Sequence, residues 1–155
     1  MDIDAFVKSL KALPLPDLSL TGLPPELSVL GFAIVLGLLQ LLIAARANNG
    51  QRGIAWNVGA RDGEPPKVSA VAGRLDRAFR NFMETFPFFA VAILFAAVSG
   101  RFSWVTLLGS HLYLFARIIY VPLYAAGVPV IRTLVWLASL IGILMVLAAC
   151  FIPPG

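Results

Sequence analysis

The run from Leu27 to Ala45 holds 19 residues without one charged side chain. A helix of that length crosses the hydrocarbon core of a bilayer, which is ~30 Å thick. The rest of the chain has the same character, since 59% of its residues are hydrophobic and 13% are charged, against roughly 45–50% and 25% in soluble domains. A soluble fold of 155 residues cannot bury so much apolar surface. The sequence therefore predicts an integral membrane protein.

Three further apolar runs follow, and turn residues separate them. Ser99-Gly100-Arg101 and Gly127-Val128-Pro129 are typical of helix ends, where glycine caps the helix and proline stands just beyond it. We predict an all-α fold, a four-helix membrane bundle over residues 26–152, with spans at about 27–46, 74–98, 102–124 and 130–152. Residues 1–25 carry four prolines and mixed charge, which predict a non-membrane segment with a short amphipathic helix over residues 4–13.

Residues 46–76 form the only sizeable polar stretch, and its Asn-Gly, Asp-Gly and Pro-Pro pairs predict a loop. This stretch and the helix start after it are rich in positive charge. The residues concerned are Arg46, Arg52, Arg61, Lys67, Arg74, Arg77 and Arg80. Loops with an excess of lysine and arginine stay in the cytoplasm. We therefore expect this loop and the turn between helices 3 and 4 to be cytoplasmic, and both termini to lie outside the cytoplasm.

Several function classes are excluded by what the sequence contains. The net charge of +4 does not indicate nucleic-acid binding, because most arginines lie between or inside apolar runs and form no solvated stripe. The single cysteine, Cys150, excludes an intrachain disulfide, and its apolar run is typical of a small buried side chain. His111 is the only histidine and has no second ligand at metal-binding spacing, so we expect no metal site.

Four polar residues of helix 2 share one helical face, because their spacing is i, i+3, i+4 and i+7. They are Arg77, Arg80, Asn81 and Glu84. Arg80 and Glu84 are four residues apart and could neutralise each other. A carboxylate and an amide among phenylalanines are costly near a membrane unless they face a polar partner or cavity. The alternative is a basic belt that contacts lipid phosphates, which explains the arginines but not Asn81 and Glu84.

Helix 3 carries a second polar face, with Tyr113, Arg117, Tyr120 and Tyr124 at i, i+4, i+7 and i+11. An arginine inside such an apolar run costs on the order of 2.5–3.5 kcal/mol at mid-bilayer. We therefore expect Arg117 to point into the bundle towards an anion, either Glu84 or the carboxylate of a ligand. The alternative is a structural Arg117–Glu84 pair, with the tyrosines forming an interfacial aromatic belt.

Arg132 and Thr133 stand near the start of helix 4. A helix N-terminus already carries partial positive charge, so an arginine there strengthens an anion site and does not complement the dipole. Its alternative role is a cytoplasmic topology anchor. Together the three helices bring arginines, one glutamate and aromatic hydroxyls to their cytoplasmic ends, while no Ser-His-Asp set, P-loop or HExxH motif is present. This pattern favours a small polyanion whose thiol could be held as a thiolate.

The helix 2 motif, Arg77-Ala78-Phe79-Arg80-Asn81-Phe82-Met83-Glu84-Thr85, resembles that of the MAPEG family, the membrane-associated proteins of eicosanoid and glutathione metabolism. The region from Arg117 to Arg132 has its polar positions in the family's register, and the 46–76 loop resembles that of bacterial members. The resemblance extends from about Leu27 to Cys150 and implies a homotrimer with glutathione bound between subunits. It also implies a bacterial inner membrane location.

The resemblance assigns a role to each polar position. Arg132 and Thr133 would be catalytic, with Arg132 stabilising the glutathione thiolate. The residues that would bind glutathione are Arg46, Arg77, Arg80, Asn81, Glu84, Arg117, Tyr120 and Tyr124. The implied function is a membrane glutathione transferase or peroxidase that conjugates glutathione to lipophilic electrophiles or reduces lipid hydroperoxides. The alternatives are a non-enzymatic protein that presents a lipid to a partner, and a purely structural or transport bundle.

Overall fold

A computed structural model describes residues 3–20 and 22–152 of the chain, and every regular element in this part is a helix. The helices are α1 (Ile3–Lys11), α2 (Pro25–Arg52), α3 (Ile54–Val58), α4 (Ala70–Val98), α5 (Trp104–Ala126) and α6 (Pro129–Phe151). Four of them, α2, α4, α5 and α6, are long and apolar enough to cross a membrane. This confirms the all-α bundle and a multi-pass membrane protein.

The helix limits follow from local chemistry. Pro25 and Pro129 open α2 and α6, where a missing backbone N–H costs nothing. The Ser103 hydroxyl caps the start of α5 by accepting from the Thr106 amide, and the Ser103 amide donates in turn to the Thr106 hydroxyl. Gly127 ends α5 with a φ of 80°, a left-handed conformation that glycine adopts without steric cost.

The polar stretch after the first span differs from the prediction. The helix does not stop at Arg46 but continues as α2 to Arg52, and the Asn49-Gly50 pair stays helical. Gly53, with a φ of 84°, ends it, and the short α3 follows. The turn signals were wrong here because neighbouring alanines and the preceding helix favour continuation. A true loop remains over residues 59–69, after which the Ser69 hydroxyl caps α4.

The four spans pack as an up-and-down bundle in which α4 and α5 are central, each contacting both α2 and α6. The stacked rings of Phe89 and Tyr113, 3.9 Å apart, lie in its core. The closest approach is between α5 and α6, where Gly109 and Gly142 let the two backbones touch. Because consecutive spans reverse direction, the start of α4, the end of α5 and the start of α6 meet at one end of the bundle.

The N-terminal segment lies against the other end. Its short helix α1 agrees in kind with the predicted amphipathic helix and ends at Lys11, whose ammonium stands 5.9 Å from the Trp104 ring. The chain then follows α5 and α2: His111 Nε2 lies 3.1 Å from the Pro16 carbonyl oxygen, and the Leu20 amide donates to the Ser28 hydroxyl. Residues 1, 2 and 21 of the predicted segment lie outside the described residues.

Candidate functional site

Arg117 is the centre of a hydrogen-bond network inside the bundle. Its side chain is 1% exposed. One terminal nitrogen, Nη1, donates to Asn81 Oδ1 at 2.8 Å, and Nη2 donates to the Thr85 hydroxyl at 2.5 Å. The rings of Tyr113 and Tyr120 lie 5.5 Å and 5.4 Å from the guanidinium carbon. Neutral donors, acceptors and ring faces therefore surround a buried cation.

Asn81 joins this network to the outer surface of α4. Its carbonyl oxygen accepts from Arg117, so its amide nitrogen is free to donate to Glu84 Oε2, at 3.1 Å. Glu84 is exposed, and within the described residues no cation lies within ion-pair distance of its carboxylate. Of the two anions that the sequence left open for Arg117, Glu84 does not contact it directly, because Asn81 stands between them.

Arg80 also has a different partner from the one the sequence suggested. Its guanidinium pairs with Asp76 at 2.6 Å, one turn back along α4, and not with Glu84. Both directions place the carboxylate four residues away, so spacing alone could not choose between them. The Arg80 side chain is 71% exposed. Solvent screening leaves such a pair a small contribution to stability, about 0–1 kcal/mol.

The aromatic residues of α5 extend the site to α6. The rings of Tyr120 and Tyr124 meet edge to face at 5.4 Å. The Arg132 guanidinium carbon lies 4.5 Å from the centre of the Tyr124 ring, at cation–π distance. A continuous row of contacts therefore links α4, α5 and α6 through Glu84, Asn81, Arg117, Tyr120, Tyr124 and Arg132. Arg77 and Arg80 stand beside this row by their position on α4, just before Asn81, and among the described residues no side-chain contact joins them to it. We call the whole set the arginine cluster, and its members are Arg77, Arg80, Asn81, Glu84, Arg117, Tyr120, Tyr124 and Arg132.

Two further predicted site residues, Arg46 and Thr133, lie outside the arginine cluster. Arg46 is exposed on α2 and lines a cavity between α2 and α3, with Asn49 and Asn57 among its neighbours. Thr133 is exposed, and its hydroxyl donates to the Pro129 carbonyl of its own helix. In a single chain, then, Arg46 does not meet the arginine cluster, and Thr133 reaches it only as the residue next to Arg132.

Sequence reasoning missed three contributors. Thr85 fixes Arg117 and contacts the Tyr113 hydroxyl at 3.4 Å, and its position four residues after Asn81 is a signal that places it on the inner side of the same face. Asp76 holds Arg80. Arg74 donates to the Ala125 carbonyl at 3.0 Å and so ties the start of α4 to the end of α5.

Positive charge dominates this end of the bundle. Among the residues described at this end, Arg80 pairs with Asp76, and no ion pair joins Arg77, Arg117 or Arg132 to a carboxylate. Guanidinium groups close to apolar surroundings attract carboxylates, because desolvation strengthens the interaction. In the part of the chain that is described, no group of three histidine, cysteine, aspartate or glutamate side chains could hold a metal ion. The arrangement therefore suits an organic anion.

An apolar groove of about 610 Å³ runs along α4 and α6 beside the cluster. It begins at Pro87 and Phe88, one turn beyond Glu84, and continues to Phe95. Leu140 and Leu147 mark its two ends on α6. The same two helices thus carry the polar cluster towards one end and an apolar surface towards the other.

Comparison with known proteins supports a family assignment. No curated protein and no solved structure matches the chain. The sequence profile of one family does match, over residues 29–152, which include α4, α5, α6, all of α2 after its first turn and every residue of the arginine cluster. Members of that family use glutathione as substrate or cofactor, and glutathione transferases and peroxidases are among them. The chain is therefore a multi-pass membrane protein of the MAPEG family, related to glutathione and eicosanoid metabolism.

Proposed function

We propose that the protein is a glutathione-dependent membrane enzyme that conjugates glutathione to lipophilic electrophiles or reduces lipid hydroperoxides. The observation that carries this proposal is the set of arginines without carboxylate partners at one end of the bundle. Beside them lies Glu84, whose carboxylate has no cation at ion-pair distance among the described residues. Glutathione has two carboxylates, one ammonium group and one thiol. Its charges complement such a set, with carboxylates meeting the arginines and the ammonium group meeting Glu84.

The residues of the cluster divide into contacts and supports. Arg77, Arg80 and Arg132 are accessible enough to meet a carboxylate or a thiolate directly. Arg117 is buried and holds Asn81, which in turn holds Glu84, so its contribution is indirect. Tyr120 and Tyr124 form the wall between them.

The chemistry needs a thiolate at neutral pH. Lowering a thiol pKa of ~8.5 by two units requires about 2.7 kcal/mol of preferential stabilisation of the anion. One partly desolvated arginine supplies this amount, and Arg132, with no carboxylate in reach and extra positive potential from the start of α6, is the best placed. The adjacent Thr133 hydroxyl donates to the Pro129 carbonyl in the single chain, and it would rotate from that bond to donate to sulfur.

Both reactions start from this thiolate. In conjugation, sulfur forms a bond to the electrophilic carbon, the leaving group departs or the adduct takes a proton, and the thiol proton has already passed to water. In peroxide reduction, two glutathione molecules are oxidised to the disulfide while the hydroperoxide becomes an alcohol and water. The apolar groove next to the cluster would bind the carbon chain of either substrate.

The family resemblance also supports a homotrimer with glutathione between subunits. In one chain Arg46 stands apart from the arginine cluster. A neighbouring subunit would bring a second Arg46 to the cluster and complete its ligand set. The orientation proposed is that of the positive-inside rule, with the cluster facing the cytoplasm and the N-terminal segment outside it, in a bacterial inner membrane.

Glutathione binding to the detergent-purified protein, measured by calorimetry, tests the proposal. We expect Glu84→Gln to weaken binding about 10-fold, which corresponds to about 1.4 kcal/mol, because a charged contact to the ammonium group is lost. Glu64→Gln is the matched control, since Glu64 is exposed in the loop before α4 and should bind like the wild type. No heat of binding with the wild-type protein would contradict the proposal.

A second candidate, a non-enzymatic lipid-binding protein, is favoured only by the wholly apolar groove. It predicts that the purified protein retains a lipid and gives no conjugate with a reactive aryl halide at any glutathione concentration. Product formation that depends on Arg132 would exclude it.

A further inference from the structure

Gln40 is a polar residue in the middle of the first membrane span, and the arginine cluster does not include it. Its side chain is 5% exposed, and neither its amide nitrogen nor its carbonyl oxygen has a protein atom within hydrogen-bond distance. The Nε of Arg117 is in the same position, buried and without a protein partner. Polar atoms enclosed in a membrane protein are costly when unpaired, so they normally bond to protein or to internal water.

The register of the helices brings these atoms to neighbouring levels. Glu26 Oε1 and Thr106 Oγ1, at 2.7 Å, set α2 level with α5, and the two helices run in the same direction. Because both rise 1.5 Å per residue, Gln40 is level with Tyr120, one turn from Arg117. Helix α4 gives the same level. The Phe82 ring fills the place that a side chain on Gly37 of α2 would take, and Phe82 is next to Asn81 in the sequence.

Gln40 also faces the correct way. The buried residues of α2 recur every three or four positions and form one stripe that packs on α4 and α5. Val29, Ala33, Gly37, Gln40 and Ala44 all belong to this stripe. A buried glutamine on this stripe faces α4 and α5, the two helices that the hydrogen bonds of Arg117 join.

We propose that Gln40 is a positioning residue for Arg117, and that the two are joined by an internal water site enclosed by α2, α4 and α5. One water there would accept the Arg117 Nε–H and donate to Gln40 Oε1, and a second would accept the Gln40 Nε2–H, so that all three orphaned atoms have a partner. With Nη1 on Asn81 and Nη2 on Thr85, this third contact fixes the guanidinium plane. The fixed plane orients the Asn81 amide, and through it Glu84.

The glutathione part of this inference rests on the proposed function, whereas the link between Gln40 and Arg117 does not. The test therefore uses two readouts on four proteins: the wild type, Gln40→Met, Arg117→Lys and the double variant. Methionine has nearly the shape of glutamine but no amide, and lysine keeps the charge but lacks Nε. Leu39→Met, at a lipid-facing position of the same helix, controls for the added methionine. Thermal unfolding in detergent and glutathione affinity are measured for each.

We expect Gln40→Met to lower the unfolding temperature by about 3–6 °C and to weaken glutathione binding about 3- to 10-fold. In the Arg117→Lys background the same substitution should change neither quantity, because the link is already broken. An unfolding temperature that stays the same or rises would overturn the water link, since removing a truly isolated amide stabilises a protein. A lowered temperature with unchanged affinity would overturn the positioning role.

The two proposals fail in different ways. If the wild type binds no glutathione, the proposed function fails, and the unfolding temperatures of the four proteins still decide the link between Gln40 and Arg117. Additive effects of the two substitutions on the unfolding temperature would refute that link even if glutathione binds as proposed.

Discussion

Two membrane helices begin with opposite charges, and the contrast separates a closed end of the molecule from an open one. α2 begins with Glu26, a negative group that suits the positive end of a helix. α6 carries Arg132 at the end of its first turn, where its charge opposes the dipole. Glu26 is 4% exposed and accepts a hydrogen bond from the Thr106 hydroxyl. Arg132 contacts a tyrosine ring.

We call the end that holds Glu26 closed because its buried polar groups already have partners in the protein, although a cavity lined by Lys11 and Arg101 also lies there. Each ring nitrogen of His111 faces a backbone carbonyl oxygen, at 2.9 Å from Leu107 and 3.1 Å from Pro16, and the neutral ring donates to one of the two. Even at the exposed Asp17, the Ser19 hydroxyl and then the Ser19 amide hold the pKa of the carboxyl below its usual range. Satisfied groups of this kind stabilise a fold and leave little to bind a ligand.

The end that holds Arg132 is open for the opposite reason. Its arginines outnumber the carboxylates near them, and Arg132 does nothing for the start of its own helix. A residue that opposes local stability is better explained by what it can bind. The comparison therefore supports the proposal that one end is structural and that the other binds the ligand, and three substitutions test it.

The largest effect is expected from Gly142→Ala, which acts on the close contact between α5 and α6. A side chain at Gly142 would stand 2.6 Å from the Gly109 carbonyl oxygen and 2.9 Å from the Tyr113 amide nitrogen, both backbone atoms that cannot move aside. We expect a loss of about 3 kcal/mol in the free energy of unfolding. Thermal unfolding in detergent is the measurement.

Gly31→Ala is the control for this substitution, because nothing lies within 4 Å of an added side chain there. Alanine should be neutral or stabilising by up to about 1 kcal/mol at that position. Equal stability of the two variants would show that α5 and α6 do not approach as described.

Arg132→Ala should come next and should affect chemistry without affecting stability. Loss of the charge lets the bound thiol return towards its usual pKa of ~8.5, so conjugation at pH 7 should slow about 10- to 100-fold. The sign of the pH dependence follows: the deficit should shrink as the pH rises through 8.5, where the thiolate forms without help. The rate of conjugation as a function of pH measures it.

Arg101→Ala is the control for this prediction, since Arg101 lies at the opposite end and donates to the Ile152 carbonyl. Its rate profile should match that of the wild type. A similar loss in both variants would show that the effect comes from general loss of positive charge and not from a thiolate contact.

The smallest effect is expected from Glu26→Ala, at the closed end. Losing the hydrogen bond with Thr106 should cost about 1–2 kcal/mol in the free energy of unfolding, and Glu26→Gln, which keeps an acceptor, should cost less. Glutathione affinity should be unchanged, because 14 residues of helix, about 21 Å, separate Glu26 from the level of the cluster. Weaker glutathione binding in Glu26→Ala would contradict the view that the two ends of the bundle act independently.

Much of the fold could be predicted because it depends on short-range patterns. The charge-free runs fixed the number of spans, and the glycine and proline at residues 127 and 129 marked the last turn correctly. The continuation of α2 past Arg46 could not be read in the same way, since Asn-Gly is compatible with both a turn and a helix end. Helical spacing also placed the polar residues of α4 on one face.

The sequence could not identify the ion-pair and hydrogen-bond partners of the polar side chains. Spacing along α4 could not show that Arg80 pairs with Asp76, nor that Asn81 stands between Arg117 and Glu84. It likewise gave no indication that Gln40 is buried at the level of Tyr120. The choice of Asp76 by Arg80 is made within α4, whereas the other facts depend on how far one helix is shifted and rotated against the next.

The sequence by itself determined that the chain is a four-span membrane protein with most of its arginines towards one end, because hydropathy and helical period are local properties. Only the tertiary structure decided which of those arginines are already satisfied. A guanidinium group reaches its partner through the packing of separate helices, and the same residue can be a buried support, as Arg117 is, or an open cation, as Arg132 is.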